Sequence, residues 1–217
     1  MANDTLPQVQ ALRLRVALLD TNGVPHPGAG GLYCTDQLVK VAWKPVYEDG
    51  AEITRKNGSG QTCVNYRGPD SFKRADVEIT LCAPNPALVA LLTGGSVLTD
   101  GSKVGFATPY IGALPTRYLS LEWWTIRVND GIADPDYPYC RWVAPMAKNL
   151  RLSDKSFEDD AQDTVIQGQL YENSNWYNGP TGDWPTAVAT DKCLQSLMCT
   201  AGELPGVNTD VATIAAS

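Results

Sequence analysis

Residues 71–82, SFKRADVEITLC, and residues 84–95, PNPALVALLTGG, decide the fold class. In the first run Val77, Ile79 and Leu81 alternate with Asp76, Glu78 and Thr80, the two-residue period of a strand with one buried face. In the second, Asn85 supplies an N-cap, Pro86 suits the first helical position, and Gly94 or Gly95 ends the helix. Leu88, Leu91 and Leu92 share one face, enough for two helical turns to dock on a sheet. A strand running into one short helix points to mainly β structure.

The flanking segments extend that pattern. Residues 9–18, VQALRLRVAL, carry Leu12, Leu14, Val16 and Leu18 at strand spacing. Residues 20–31, DTNGVPHPGAGG, are turn chemistry throughout. Residues 38–47, LVKVAWKPVY, resume an extended run, in which Pro45 suits an edge strand because its missing N–H costs nothing there. Residues 117–128, RYLSLEWWTIRV, place Leu119, Leu121 and Trp123 on one face, Glu122 and Trp124 on the other. Residues 139–145 and 164–171 are further strands. A short helix is expected over KCLQSLM, residues 192–198, and disorder in the small-residue tail NTDVATIAAS. The sum is an antiparallel β-sandwich or barrel with one short α-helix and extended loops.

Composition narrows the function. The chain has 217 residues, 19 glycines and 15 prolines, which favours many short elements. Its net charge of −7, without a block of lysine or arginine, gives no electrostatic grip on nucleic acid. No apolar run of about 18 residues suggests a membrane helix, and the start MANDTLPQVQ does not have the form of a signal peptide. The cysteines at 34, 63, 82, 140, 193 and 199 form no CxxC pair, against a zinc or redox motif. They are expected to be buried thiols, with a Cys63–Cys82 disulfide as the alternative.

Candidate chemistry is sparse. His26, the only histidine, lies in the turn PHPG, and no GxSxG accompanies any serine. In DKSFEDDAQD, residues 154–163, Asp154, Ser156, Glu158 and Asp160 alternate like calcium ligands. Asp159 stands where a calcium loop needs glycine, however, and Val165 where it needs glutamate, so a solvated acidic hairpin is expected. Glu122 beside Trp123 and Trp124 invites a glycosidase reading, yet no second carboxylate is placed by spacing. No catalytic residue, cofactor or metal site is expected, and the chain is read as not an enzyme. Residues 46–63, VYEDGAEITRKNGSGQTC, hold two turn signals, Asp49-Gly50 and Asn57-Gly58, so they form either a loose hairpin or an arm that orders on a partner.

Six segments in order, GGLYCTDQLVKVAW, YEDGAEITRKNGSGQTCVNYRG, DVEITLCAPNPALVALLTGG, SLEWWT, RWVAPM and YENSNWYNGPTGDWP, span roughly residues 30–185. Together they resemble the major tail tube protein of long-tailed, non-contractile bacteriophages of the actinobacteriophage type. The resemblance implies a tail-tube β domain over residues 1–190. It leaves residues 191–217 as a C-terminal extension, partly disordered or lying on a neighbouring subunit. It further implies a virion tail component, assembled in the host cytoplasm as hexameric rings stacked into a tube. The partners implied are other copies of itself and the tape-measure, tip and terminator proteins, with DNA passing through unbound.

By that resemblance, Tyr47 to Gly60 would be a stacking arm, with Tyr47 and Ile53 binding and Glu48, Asp49, Glu52, Arg55 and Lys56 setting register. The exposed aromatics Trp176, Tyr177 and Trp184 would suit a subunit interface. Six copies at −7 each give a ring −42 formal charges. Acids at Asp76, Glu78, Glu158 and Asp160 are expected to line the lumen, repelling DNA over about 8 Å. The rival readings are a carbohydrate-binding β-sandwich, which would use Trp176, Tyr177 and Trp184 as stacking platforms, and a tail terminator or head–tail connector.

Overall fold

Strand pairing is the organising fact of the computed structural model, which describes residues 8–26, 32–113, 117–129, 131–154, 163–182, 184 and 191–207. The strands are β1 (Gln8–Leu18), β2 (Leu32–Thr35), β3 (Leu38–Glu48), β4 (Glu52–Lys56), β5 (Thr62–Arg67), β6 (Ser71–Cys82), β7 (Ser96–Asp100), β8 (Lys103–Ala107), β9 (Leu119–Asn129), β10 (Ile132–Ala133), β11 (Tyr139–Leu152), β12 (Asp163–Tyr171) and β13 (Gln195–Cys199). Helix α1 (Pro86–Thr93) lies between β6 and β7. Among the described residues, the main sheet runs β2-β1-β9-β11-β12-β6-β3, with β10 added to β9 and β13 to β11. Its neighbours are antiparallel. Two separate hairpins, β4–β5 and β7–β8, complete the strands. The molecule is mainly β, as the alternating runs predict.

One face of the sheet holds the principal core. Leu14 and Val16 of β1, Val77, Ile79 and Leu81 of β6, Leu119 and Leu121 of β9, and Ile166 and Leu170 of β12 all join it. The sheet folds over so that β3 packs near β1. Helix α1 contributes Leu88, Leu91 and Leu92 to the same core. It begins where expected: the Asn85 side chain accepts from the Ala87 N–H at 2.9 Å, and Gly94 closes it at φ 74°. Pro45 lies in β3, the last strand of the sheet path, where no ladder bond requires its nitrogen.

The opposite face of β1, β9 and β11 is also covered, by the chain between residues 172 and 184. Leu19, Val143, Trp176 and Trp184 form a second, smaller core there. Asparagines tie this cap down. Buried Asn173 donates to the carbonyls of Gly23 (2.7 Å) and Pro145 (3.2 Å), and Asn175 donates to that of Asn22 at 2.7 Å.

Two expectations are corrected here. Residues 192–198 do not form a helix: Gln195–Cys199 is a strand paired with β11 through Tyr139↔Cys199 to Val143↔Gln195. Leu197 packs on the second core and Leu194 on the first, so tertiary burial selects the extended form. The stretch read as a C-terminal extension thus contributes a strand to its own chain's sheet. The cysteines are thiols, and Cys34, Cys140, Cys193 and Cys199 are buried, whereas Cys63 and Cys82 are exposed. The tail from residue 208 and residues 155–162, including Glu158 and Asp160, lie outside the described residues.

Candidate assembly surface

The β4–β5 hairpin carries the chain's most unusual surface. Every residue of both strands is exposed. The register pairs Ile53 with Tyr66 and Arg55 with Val64, while Glu52 faces Arg67 and Thr54 faces Asn65. Because side chains alternate across a strand, Ile53, Tyr66 and Val64 share one face around Arg55. The other face is polar, with Thr54 donating to Asn65 at 3.3 Å. Ile53 is 48% exposed, Val64 44% and Tyr66 56%. An amphipathic two-stranded ribbon with both faces in water is marginal by itself.

The hairpin is nevertheless firmly built at both ends. At its tip the Asn57 side-chain oxygen accepts from the N–H groups of Ser59 (3.1 Å) and Gln61 (2.8 Å), an Asx-type turn at the Asn57-Gly58 signal. At its base the Gly68 N–H donates to the Ala51 carbonyl at 3.0 Å. Asp70 accepts from the Gly50 N–H at 3.0 Å and from Arg67 at 3.3 Å. Arg67 also reaches Asp49 at 3.2 Å. The Gly50 N–H, seconded by Arg67, holds the Asp70 carboxyl below the usual aspartate range.

Beside this neck the inner face of the sheet runs past the end of the core. Trp43 is 46% exposed, Tyr47 59% and Phe72 50%, and Tyr47 meets Phe72 edge-on at 5.8 Å. Together with Trp142 and Leu194 they line an open groove of about 490 Å³, with Asp191 and Lys192 at its margin. A third apolar feature, Tyr110 and Ile111, stands almost wholly in solvent on the loop after β8.

The remaining expected residues are placed as follows. Tyr47 and Glu48 end β3, Glu48 pairing with Lys73 at 3.4 Å; Asp49 lies in the neck; Glu52, Ile53, Arg55 and Lys56 form β4. These come together. Trp176 and Trp184 do not join them, being 1% and 4% exposed. They meet edge-on at 6.2 Å inside the cap, so the interface and sugar-platform roles expected of these two are corrected; only Tyr177 of the trio is at the surface. Asp76 and Glu78 are half-exposed on the polar face of β6, in a wide groove shared with Lys44, Arg151 and Gln169. Each has a base beside it, Arg74 at 3.0 Å from Asp76 and Lys40 at 3.7 Å from Glu78, so neither presents an uncompensated charge.

Glu122 is likewise not in a cleft. It is completely buried, accepting from Arg15 at 2.9 and 2.8 Å and from Arg141 Nε at 2.8 Å. The guanidiniums lie over Trp124 at 5.2 and 5.5 Å, and Trp184 covers Arg141 at 5.0 Å. Arg15, Glu122 and Arg141 come from β1, β9 and β11, so this cluster ties three adjacent strands at one register.

Sequence reasoning missed Val64, Tyr66, Trp43, Phe72, Trp142 and Leu194. The alternation of Val64 and Tyr66 in CVNYR was a usable signal; the groove was not, because it joins residues far apart in the chain.

Fold and surface together define a mainly β, antiparallel protein that projects an amphipathic hairpin beside an apolar groove. The chain matches no protein-family model and no curated protein. Among solved structures it is similar to the tube-terminating cap of the anti-feeding prophage, at 10% identity over 91% of this chain and 97% of that one, TM-score 0.33. It is also similar to a chain of the sheath–tube complex of an extracellular contractile injection system, PVC, in the extended state. There the identity is 11% over 77% of this chain and 88% of that one, TM-score 0.30. Likeness at this level carries no argument about fold or function; the fold class rests on the strand pairing itself.

Proposed function

We propose that this protein is a non-enzymatic structural subunit that self-assembles into the tail tube of a long-tailed, non-contractile bacteriophage. The reading is of hexameric rings that stack into a conduit for DNA and meet the tape-measure, tip and terminator proteins. One observation carries it: the β4–β5 hairpin is hydrogen-bonded at neck and tip while, among the described residues, its apolar face of Ile53, Val64 and Tyr66 is left about half exposed. An exposed apolar surface of this kind marks an interaction site, and self-association supplies a partner at every copy. The order of the sequence segments adds the specific tail-tube resemblance, and the net charge of −7 suits a wall that must not hold DNA.

The test is electron microscopy and light scattering of the purified chain at high concentration, beside Tyr66→Asp. Tubes from the parent chain and dispersed particles from the variant are expected. Single rings that never stack would favour a terminator or connector, and a monomer under all conditions would overturn the reading.

A further inference from the structure

We infer that the polar side of β3, β6, β12 and β11 is a docking groove for an acidic polypeptide segment. Such docking is independent of whether the chain polymerises.

The strand register builds the floor. Residues paired across a sheet share a face. Lys44, Asp76 and Gln169 therefore form one row across β3, β6 and β12, and Glu78, Gln167 and Arg151 a second across β6, β12 and β11. The floor's acids are already answered. Arg74 pairs with Asp76 at 3.0 Å and Lys40 with Glu78 at 3.7 Å, while Gln167 donates to Glu78 at 3.2 Å. The bases are not. Lys44, Arg151 and Arg117, which also lines the groove, are exposed and make no ion pair among the described residues. On a chain of net charge −7 this face is locally basic.

The placement of these charges sets the occupant. Lys44 stands on β3 and Arg151 on β11, three strand spacings or about 14 Å apart, with Asp76 and Glu78 between them on β6. A fitting ligand brings negative charge to the two ends and hydrogen-bond donors to the middle. An extended polypeptide does both: carboxylates four residues apart stand about 13 Å apart, and N–H groups between them can donate to Asp76 and Glu78. A nucleic-acid strand carries a charge about every 3.4 Å and has no donor in its phosphodiester backbone, so its phosphates would fall on the two carboxylates. The groove's volume, about 1310 Å³, exceeds the roughly 300–1,000 Å³ of small-molecule sites, which suits a length of chain. Pro109 and Tyr110, from the loop after β8, also line it and offer its apolar side chains a surface.

The experiment is fluorescence anisotropy of the full-length chain, at low and at physiological salt, with two labelled probes of similar charge: a glutamate decapeptide and a single-stranded deoxythymidine decamer. The peptide is expected to bind more tightly than the nucleotide strand and to weaken as salt rises. Arg117→Glu with Arg151→Glu, both at exposed positions, should lower peptide affinity about tenfold and leave thermal unfolding close to the parent. Arg55→Glu, on the hairpin and outside the groove, should leave the affinity unchanged. If the double variant loses thermal stability, Lys44→Glu takes its place with the same criteria. A peptide that does not bind, or an equal loss from Arg55→Glu, overturns the inference. Tighter binding of the deoxythymidine strand overturns it as well and makes this face a nucleic-acid surface.

Discussion

A Cβ atom on Gly50 would stand 2.0 Å from the carbonyl oxygen of Gly68, so the segments that enter and leave the β4–β5 hairpin run in backbone contact. The neck can exist in this form only with glycine at position 50. Gly50→Ala is therefore expected to force the strands apart and change the hairpin's direction, a local strain of about 1–3 kcal/mol. Assembly should fail while thermal unfolding of the body changes little. Light scattering and calorimetry check the two halves; a variant that assembles normally would remove the neck from the argument.

The same neck is acid-sensitive. Asp70 has its carboxyl lowered by the Gly50 N–H first and by Arg67 after it. A depressed carboxylate stabilises the neck at pH values above the ordinary aspartate range, and that contribution is lost as pH falls through the lowered value. Amide exchange in residues 51–68, taken relative to its intrinsic rate at each pH, should be slow at neutral pH and faster in strong acid. Asp70→Asn should show the fast behaviour at neutral pH; equal rates for parent and variant would count against this account.

Glu122 is the pivot of a buried charge cluster. Glu122→Gln leaves Arg15 and Arg141 without their shared carboxylate in a site closed to water. Losing one partner of a buried ion pair costs about 3–5 kcal/mol. Denaturant unfolding should show that loss, and a change below 1 kcal/mol (roughly the value of a surface pair) would contradict the assigned burial.

Within the cap, neighbouring aromatics should behave oppositely. Trp176→Ala empties a fully buried site and is expected to cost about 3–5 kcal/mol. Tyr177→Ala, on a residue 58% exposed, should stay within about 0.5 kcal/mol of the parent. Equilibrium unfolding of the two variants separates them, and similar losses would mean that the cap is packed differently.

Thiol labelling should divide the six cysteines. Burial pushes the Cys34 thiol up to about 11 and, with Glu203 adding to it, the Cys199 thiol up to about 12; Cys140 and Cys193 are raised too, again chiefly by burial. Thiolate is the reactive form, so at pH 8 these four should label slowly. Cys63 and Cys82 are exposed and should react fast, giving two modified sites by mass spectrometry before unfolding and six after it.

The strand of residues 71–82, its helix and the edge position of Pro45 were legible because their signals are local: a two-residue period, a cap, a missing N–H. The hairpin's tip was legible for the same reason, through Asn57-Gly58, whereas Asp49-Gly50 marks the neck and not a turn. Residues 192–198 were not, since their apolar spacing fits a short helix equally well and the choice was made by pairing with β11. Trp176 and Trp184 sit among asparagines, glycines and prolines, a composition that signals surface. They are interior because Asn173 and Asn175 fasten that loop to the turn at residues 22–23 and to Pro145, more than twenty residues away in sequence.

Sequence alone determined that this chain is mainly β, acidic, turn-rich and marked by an exposed arm. Those properties follow from periodicity, charge and turn chemistry within a few residues. Only the tertiary structure decided that Glu122 is a structural ion and that both cap tryptophans are core. It alone brought Trp43, Phe72, Trp142 and Leu194 to one groove beside the arm's root. Burial is a property of what lies opposite a side chain, and in an antiparallel sheet the opposite residue comes from a strand of unrelated sequence position.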